Sequence, residues 1–158
     1  MTTRHSSEDD RALVERQIGR PPRAFRRVAV RCPFGRPAVT EQSPFDEHGA
    51  PFPTQFYVTC PHLVAQIARL EAAGGVERWT RAAESDPALA RSLAAAQKDQ
   101  RALRPELPLG IGGSSRTGSL KCLHAHAAFA LARPGYTLGD LVLADAGPLW
   151  PPAECCTG

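Results

Sequence analysis

The stretch Leu120–Ala132 reads LKCLHAHAAFALA, and it decides how the chain folds. We predict a helix over these residues, capped by Ser119, with apolar side chains on almost every side. A helix that is apolar all round is normally buried on more than one side. The rest of the chain therefore has to cover it.

Two patterns predict the covering elements. Residues 25–32 and 55–60 alternate apolar and polar side chains, which is typical of half-buried strands, and residues 38–42 are expected to form a strand between them. Pro61 and Pro87 suit first helical positions, while Gly19 and Gly74 suit helix ends. Further helical segments are predicted around Trp79 and over residues 138–144.

This order of elements predicts an α+β fold, a single small domain with a short β-sheet covered by several helices. Residues 1–20 are expected to form a peripheral N-terminal helix or flexible arm. Residues 21–158 are expected to form a single globular α+β domain. A length of 158 residues with 42% hydrophobic and 22% charged residues agrees with one domain.

The sequence also indicates the cellular compartment and the oxidation state of the cysteines. The N-terminus is polar and acidic, unlike a secretory signal, and the longest apolar stretch, residues 125–132, is too short for a membrane span. We therefore predict a soluble, cytoplasmic protein that does not enter a membrane. Its five cysteines should be reduced there, which favours metal binding or thiol chemistry over disulfides.

Two cysteines share one local pattern. Cys32 and Cys60 each end a predicted strand and are each followed by proline, so their thiols would face each other if these strands pair. Cys60 also precedes the helix that begins at Pro61, and a helix N-terminus favours the thiolate. His62 adds a nitrogen ligand or a base. Each buried thiol, taken alone, is equally typical of a small core residue.

The predicted helix over residues 120–132 supplies a further pair. Cys122 and His126 are four residues apart and share a helical face, whereas His124 is expected on the apolar face. The leading hypothesis is a metal ion or iron–sulfur cluster, with zinc and the cluster nearly equal, held by dispersed side chains. The candidate ligands are Cys32, Cys60, His62, Cys122, His126 and one of the tail residues Cys155 and Cys156.

A second hypothesis is a metal-free thiol enzyme. Cys60 or Cys122 would be the nucleophile, with a neighbouring histidine such as His126 as the base. The glycine-rich run before the buried helix would cradle an anion through its backbone N–H groups, although a flexible connector is as typical of such a sequence. The residues assigned to this anion site are Gly110, Gly112, Gly113, Arg116 and Lys121.

A third hypothesis is a regulatory or partner-binding protein. Six arginines fall between residues 20 and 36 with no acidic residue among them, and such a patch can attract nucleic acid or a phosphate-bearing ligand. We favour the alternative of a solvated strand face whose arginines pair with acids elsewhere. The six residues are Arg20, Arg23, Arg26, Arg27, Arg31 and Arg36.

Four phrases of the sequence together resemble a known bacterial family. They are Arg31-Cys-Pro-Phe-Gly-Arg-Pro, the run from Phe52-Pro-Thr to Thr59-Cys-Pro-His-Leu, Gly110-Ile-Gly-Gly, and Lys121-Cys-Leu-His-Ala-His. The family is catalogued as domain of unknown function 501, and the resemblance extends from about Pro22 to Cys156. It implies a stand-alone bacterial protein and no particular reaction.

Overall fold

The computed structural model describes residues 7–115, 118 and 120–147. Within these ranges one antiparallel sheet, in the order β1-β2-β3, is combined with six helices. The predicted small α+β architecture is confirmed. The elements are α1 (Ser7–Ile18), β1 (Phe25–Arg31), β2 (Pro37–Gln42), β3 (Phe56–Val58), α2 (Pro61–Ala72), α3 (Gly75–Ser85), α4 (Pro87–Leu103), a 3₁₀ turn (Ile111–Gly113), α5 (Leu123–Ala132) and α6 (Thr137–Ala146).

Helix α5 is enclosed, as its apolar composition requires. Every residue from Leu123 to Ala130 is buried except His124. The helix contacts α2, α6 and β3. Phe129 lies edge-to-face against Phe56 of β3 and Tyr136 before α6, with ring centroids 6.1 and 5.8 Å away. The predicted burial of this helix on more than one side is thus confirmed.

The start of α5 differs from the prediction. The helix begins at Leu123, and Cys122 is its N-cap residue with an extended backbone (φ −156°, ψ 123°). The physical reason is a cap from another helix, since the Leu123 N–H donates to the Glu71 carboxylate at 3.1 Å. Cys122 therefore lies outside the helix, and the prediction that it shares a helical face with His126 is wrong.

The two faces of the sheet differ in chemistry. Val39 and Phe56 point toward α5, whereas Thr40 of β2 and its cross-strand partner Tyr57 point to the opposite side. Helix α1 packs on that opposite side against β1 and β2, and its Val14 is fully buried. The helix predicted to end at Gly19 is thus part of the packed structure.

Strand β3 is shorter than the predicted 55–60, and within the described ranges it pairs with β2 alone. Because β2 lies between β1 and β3, these two outer strands do not pair. Cys32 and Cys60 follow them at the same end of the sheet, with about 9.6 Å (two strand spacings) between the strands. The direct pairing that would have brought the two thiols face to face does not occur.

The arginine-rich strand β1 pairs with acidic residues, as the favoured alternative predicted. Arg26 and Arg27 lie 3.7 and 3.1 Å from the buried Glu41 carboxylate. Arg31 forms a 2.7 Å ion pair with Asp10 of α1. These three arginines are thus engaged in ion pairs within the fold.

Among the described helices, none has the length and apolar character needed to cross a membrane.

Arg104 holds the loop between β2 and β3 in place. Its side chain is buried, and it donates to the carbonyls of Gln42, Phe52 and Pro53 at 3.4, 2.8 and 2.9 Å. Burial lowers the pKa of Arg104 from its usual value, but an arginine remains charged at any ordinary pH. One guanidinium therefore satisfies the last carbonyl of β2 and two carbonyls of the following loop, which has little regular structure of its own.

We expect Arg104→Ala to lower the free energy of unfolding by about 3 kcal/mol, because it leaves three carbonyls without a donor. Urea unfolding followed by circular dichroism measures the change. Arg91→Ala, on the exposed surface of the helix that ends before Arg104, is the matched control and should stay within about 0.5 kcal/mol of the parent. Equal effects of the two substitutions would contradict this role of Arg104.

Candidate functional site

Three side chains with ligand atoms meet between the end of α2 and the start of α5. They are Glu71, Cys122 and His124, and one atom of each lies within 4.8 Å of the other two. Among the described residues, no other set of three or more His, Cys, Asp or Glu side chains is this close. All three are half-buried, so the group is open to small molecules from solvent. We call it the Glu71 cluster.

The imidazole of His124 is oriented by a backbone carbonyl. Its Nε2 lies 3.2 Å from the Val64 carbonyl oxygen on α2. A carbonyl oxygen only accepts, so Nε2 carries a proton and donates it. The other ring nitrogen, Nδ1, therefore faces the cluster, at 2.7 Å from Glu71 Oε1 and 3.9 Å from Cys122 Sγ.

The contact between Nδ1 and the carboxylate requires a cation. Two bare acceptors 2.7 Å apart would repel each other, so either one of the two atoms carries a proton or both bind a metal ion. The hydrogen bond with Cys122, the charge of Glu71 and the bond to Val64 raise the pKa of His124 against the opposing effect of burial. Without a metal, the cluster thus favours a protonated imidazole.

Glu71 serves both helices, and it was not among the residues predicted from the sequence. An acidic residue in the last turn of a helix is unfavourable for that helix, but at the N-terminus of another it is favourable. Here Oε2 accepts from the Leu123 N–H at the start of α5, while Oε1 faces His124. The acid near the end of the α2 segment was the one signal in the sequence, and it does not reveal its partner.

The thiols predicted from the strand ends lie outside the Glu71 cluster. Cys32 and Cys60 are buried, with 9% and 6% of their surface exposed. Cys60 is the N-cap residue of α2 with Pro61 at the first position, as predicted. Glu71, however, lies near the other end of this 12-residue helix, about 16 Å along its axis.

A further predicted ligand lies elsewhere in the described structure. His62 is on the first turn of α2 and does not belong to the Glu71 cluster. Cys155 and Cys156 lie outside the described residues, so the predicted tail ligand stays a prediction. Of the five predicted metal ligands among the described residues, Cys122 is the one found in the cluster.

The roles predicted for the two histidines of α5 are reversed. His126 is fully buried, and its Nδ1 lies 2.7 Å from the Tyr136 hydroxyl. Burial lowers the pKa of His126 to about 4, so its side chain is neutral at physiological pH. It is His124, predicted to face the apolar core, that reaches the cluster. Because α5 begins three residues later than predicted, Cys122 lies before the helix and contacts His124 instead of sharing a helical face with His126.

The glycine-rich run forms a packed turn. The N–H groups of Gly110 and Gly113 donate to the carbonyls of Ser114 and Gly110, at 2.8 and 3.0 Å, and the Ile111 N–H donates to Gln97 Oε1 at 2.6 Å. A Cβ atom at Gly110 would collide with this Gln97 oxygen. These donors are therefore already occupied and would have to be released before they could bind an anion.

The positions of the two charged residues assigned to the same anion site do not support that site. Lys121 is exposed, and Arg116 lies outside the described residues. Gly112 adopts a left-handed conformation with φ 69°, which a glycine tolerates best. The left-handed conformation and the hydrogen bonds within the turn are enough to account for the glycines, without an anion.

Comparison with known proteins identifies the family. A family described as "Protein of unknown function (DUF501)" matches residues 28–108. The chain belongs to this family. The match confirms the predicted family, and it includes Cys32, Cys60 and Glu71. The phrases that begin at Gly110 and Lys121 follow the matched residues. No curated protein and no solved structure matches this DUF501 chain significantly.

The buried His126 should make stability fall in acid. It stays neutral in the folded protein down to pH about 4, whereas its pKa in the unfolded chain is near the usual value of 6.5. The unfolded state therefore binds more protons between these values. We expect the free energy of unfolding to drop by about 3 kcal/mol on this account as pH falls from 6.5 to 4.

Denaturant unfolding across that pH range, for the parent and His126→Asn, measures the contribution. The variant should lose most of this part of the pH dependence, and His48→Asn, on the exposed loop, should retain it. Identical pH profiles for the parent and His126→Asn would show that His126 is not held neutral.

Proposed function

We propose that this DUF501 protein binds one zinc-class divalent metal ion through Glu71, Cys122 and His124. The observation that carries the proposal is the orientation of His124, whose Nδ1 is directed at a thiol and a carboxylate while Nε2 is held by Val64. Histidine ligands of metals typically donate their other ring N–H to a carbonyl or carboxylate in this way.

The distance between Cys122 and His124 suits zinc. Zinc bonds are about 2.3 Å to sulfur and 2.0–2.1 Å to nitrogen, so a thiolate and an imidazole on one ion lie at most about 4.4 Å apart. Cys122 Sγ and His124 Nδ1 are separated by 3.9 Å. The 2.7 Å contact between Glu71 and His124 is a hydrogen-bond distance, so Glu71 Oε1 would move to about 3.4 Å from Nδ1 when both bind one tetrahedral ion. A carboxylate, an imidazole and a thiolate are all zinc ligands. Because the Glu71 cluster offers a single thiolate, it favours a zinc ion over an iron–sulfur centre, which is typically held by four thiolates.

Three protein ligands leave a fourth coordination position. The side chains of Glu71 and His124 are 27% and 25% exposed, so water or a substrate can approach. Catalytic zinc sites combine three protein ligands with an open position, whereas structural sites are closed by a fourth ligand. An open site therefore supports a reaction on a metal-bound molecule, and a tail cysteine in the fourth position would support a structural role.

Metal analysis of purified protein and titration with Co²⁺ test the proposal. We expect one ion per chain and a thiolate-to-cobalt charge-transfer band, because Cys122 supplies the sulfur. Cys122→Ser should abolish the band, and Glu71→Gln should weaken binding by at least about tenfold. The double variant Cys32→Ala/Cys60→Ala is the matched control and should keep both the ion and the band.

One result would refute the metal site, and another would determine its coordination type. A folded protein that binds neither zinc nor cobalt at micromolar concentrations would refute the site. If binding is found, Cys155→Ser/Cys156→Ser discriminates between the two coordination types: unchanged affinity indicates the open site, and a large loss indicates a closed one.

The thiol-enzyme hypothesis is a second candidate, supported by the same 3.9 Å separation between Cys122 Sγ and His124 Nδ1. A protonated imidazole beside a thiol favours the reactive thiolate. In this candidate Cys122 is the nucleophile, whereas Cys60, which was the other choice, is buried.

Alkylation of chelator-treated protein with iodoacetamide, followed residue by residue by mass spectrometry, tests this second candidate. Cys122 should react faster than the buried thiols through exposure alone, so the informative comparison is with His124→Gln. That substitution should slow the reaction of Cys122 by roughly tenfold at neutral pH. An unchanged rate would show that the imidazole does not activate the thiol.

A further inference from the structure

A cavity of about 450 Å³ lies on the side of the sheet that faces away from α5. Its walls come from α1, the Pro21-Pro22 turn, the loop before β3, and the outward face of β2 and β3. This volume falls within the range of small-molecule sites. The Glu71 cluster lies on α2 and α5, so the cavity is separate from the proposed metal site.

The floor of the cavity is polar, although it is buried. Thr40 Oγ1 and the Gln42 side-chain amide lie 2.6 Å apart, which satisfies both side chains in part. Thr59 is 2% exposed, and its Oγ1 has no hydrogen-bond partner among the described residues. A buried hydroxyl without a partner is costly, and a ligand polar atom would relieve that cost after a rotation of the Thr59 side chain brings Oγ1 to the cavity.

The mouth of the cavity is basic. Arg20 and Arg23 line it and are exposed, and none of the described lining residues is acidic. The Asp46 carboxylate lies close enough to Arg23 to interact with its charge, but it is outside the lining. Two guanidinium groups at the entrance favour an anionic group there, because arginine matches phosphate and carboxylate oxygens in pairs.

The cavity also contains an aromatic corner. Phe52 and Tyr57 line it and meet edge-to-face, with ring centroids 5.7 Å apart. The half-buried Ile18 of α1 adds apolar surface to the lining. A planar ring of a ligand would find both aromatic and aliphatic contacts in this part of the cavity.

We propose that this cavity binds a small organic anion with a planar ring, of about mononucleotide size. The ring lies between α1 and the Phe52–Tyr57 corner, a polar atom of the ligand pairs with Thr59 Oγ1, and the anionic group faces Arg20 and Arg23. Nucleotides and aromatic carboxylates share this chemistry. The site is independent of the proposed metal function.

Titration calorimetry of the full chain tests the proposal with four kinds of probe. They are the ribonucleoside 5′-monophosphates, the matching nucleosides, inorganic phosphate, and salicylate as an aromatic carboxylate. We expect at least one ring-bearing anion to bind with a Kd below about 1 mM. Its separate ring and anion halves should bind at least about tenfold more weakly, since each makes only part of the contacts. The better of the nucleotide and carboxylate series identifies the source of the ring.

Matched variants locate the site. Arg20→Ala/Arg23→Ala should weaken binding by about tenfold, and Thr59→Val, which keeps the side-chain shape, should weaken it several-fold. Arg16→Ala, an exposed arginine of α1 outside the cavity, should bind like the parent, as should Cys122→Ser. Absence of binding below about 1 mM by any ring-bearing anion would overturn the proposal, as would equal binding of phosphate alone. So would a loss in Cys122→Ser that matches the loss in the arginine double variant.

Discussion

The burial of α5 is the constraint on which the rest of this fold depends. Because nearly every side of this helix is apolar, it can be stable only when the sheet covers one side and α2 and α6 cover the others. The enclosure leaves one position of its first two turns, His124, at the surface. The chemistry of the candidate site depends on this exposure, since the side chain that cannot enter the core meets the polar end of α2.

One carboxylate joins the two helices at that point. Glu71 is unfavourably placed for the dipole of α2 but favourably placed for the dipole of α5. It accepts a hydrogen bond from the first N–H of α5. Its second oxygen needs a positive partner in His124 or in a metal ion. The same residue thus fixes where α5 begins and gives the cluster its charge, so the local structure and the site chemistry cannot be separated.

Periodicity and the Pro and Gly positions predicted most of the elements, because strand alternation, Pro61, Pro87, Gly19 and Gly74 act locally. The site was predicted less well, for a physical reason. The sequence predicts that α5 begins at Leu120, whereas it begins at Leu123. This shift of three residues moves Cys122 out of the helix and changes its neighbour from His126 to His124. The decisive influence, the cap from Glu71, comes from 52 residues earlier in the chain and leaves no local pattern.

The two sides of the sheet differ in the free-energy cost of burying their side chains. Toward α5 most of its side chains are apolar and satisfied by packing, and the buried Glu41 on this side accepts from Arg27 and Gln55. Toward α1 it buries hydroxyl and amide groups, and the Thr59 hydroxyl, which has no partner in the part of the chain that the structure describes, costs about 1–3 kcal/mol if it stays unpaired. A valine would fill the same space without that cost, so packing alone does not account for the threonine. Polar groups on a buried face beside two arginines are understandable if something polar enters from solvent and pairs with them.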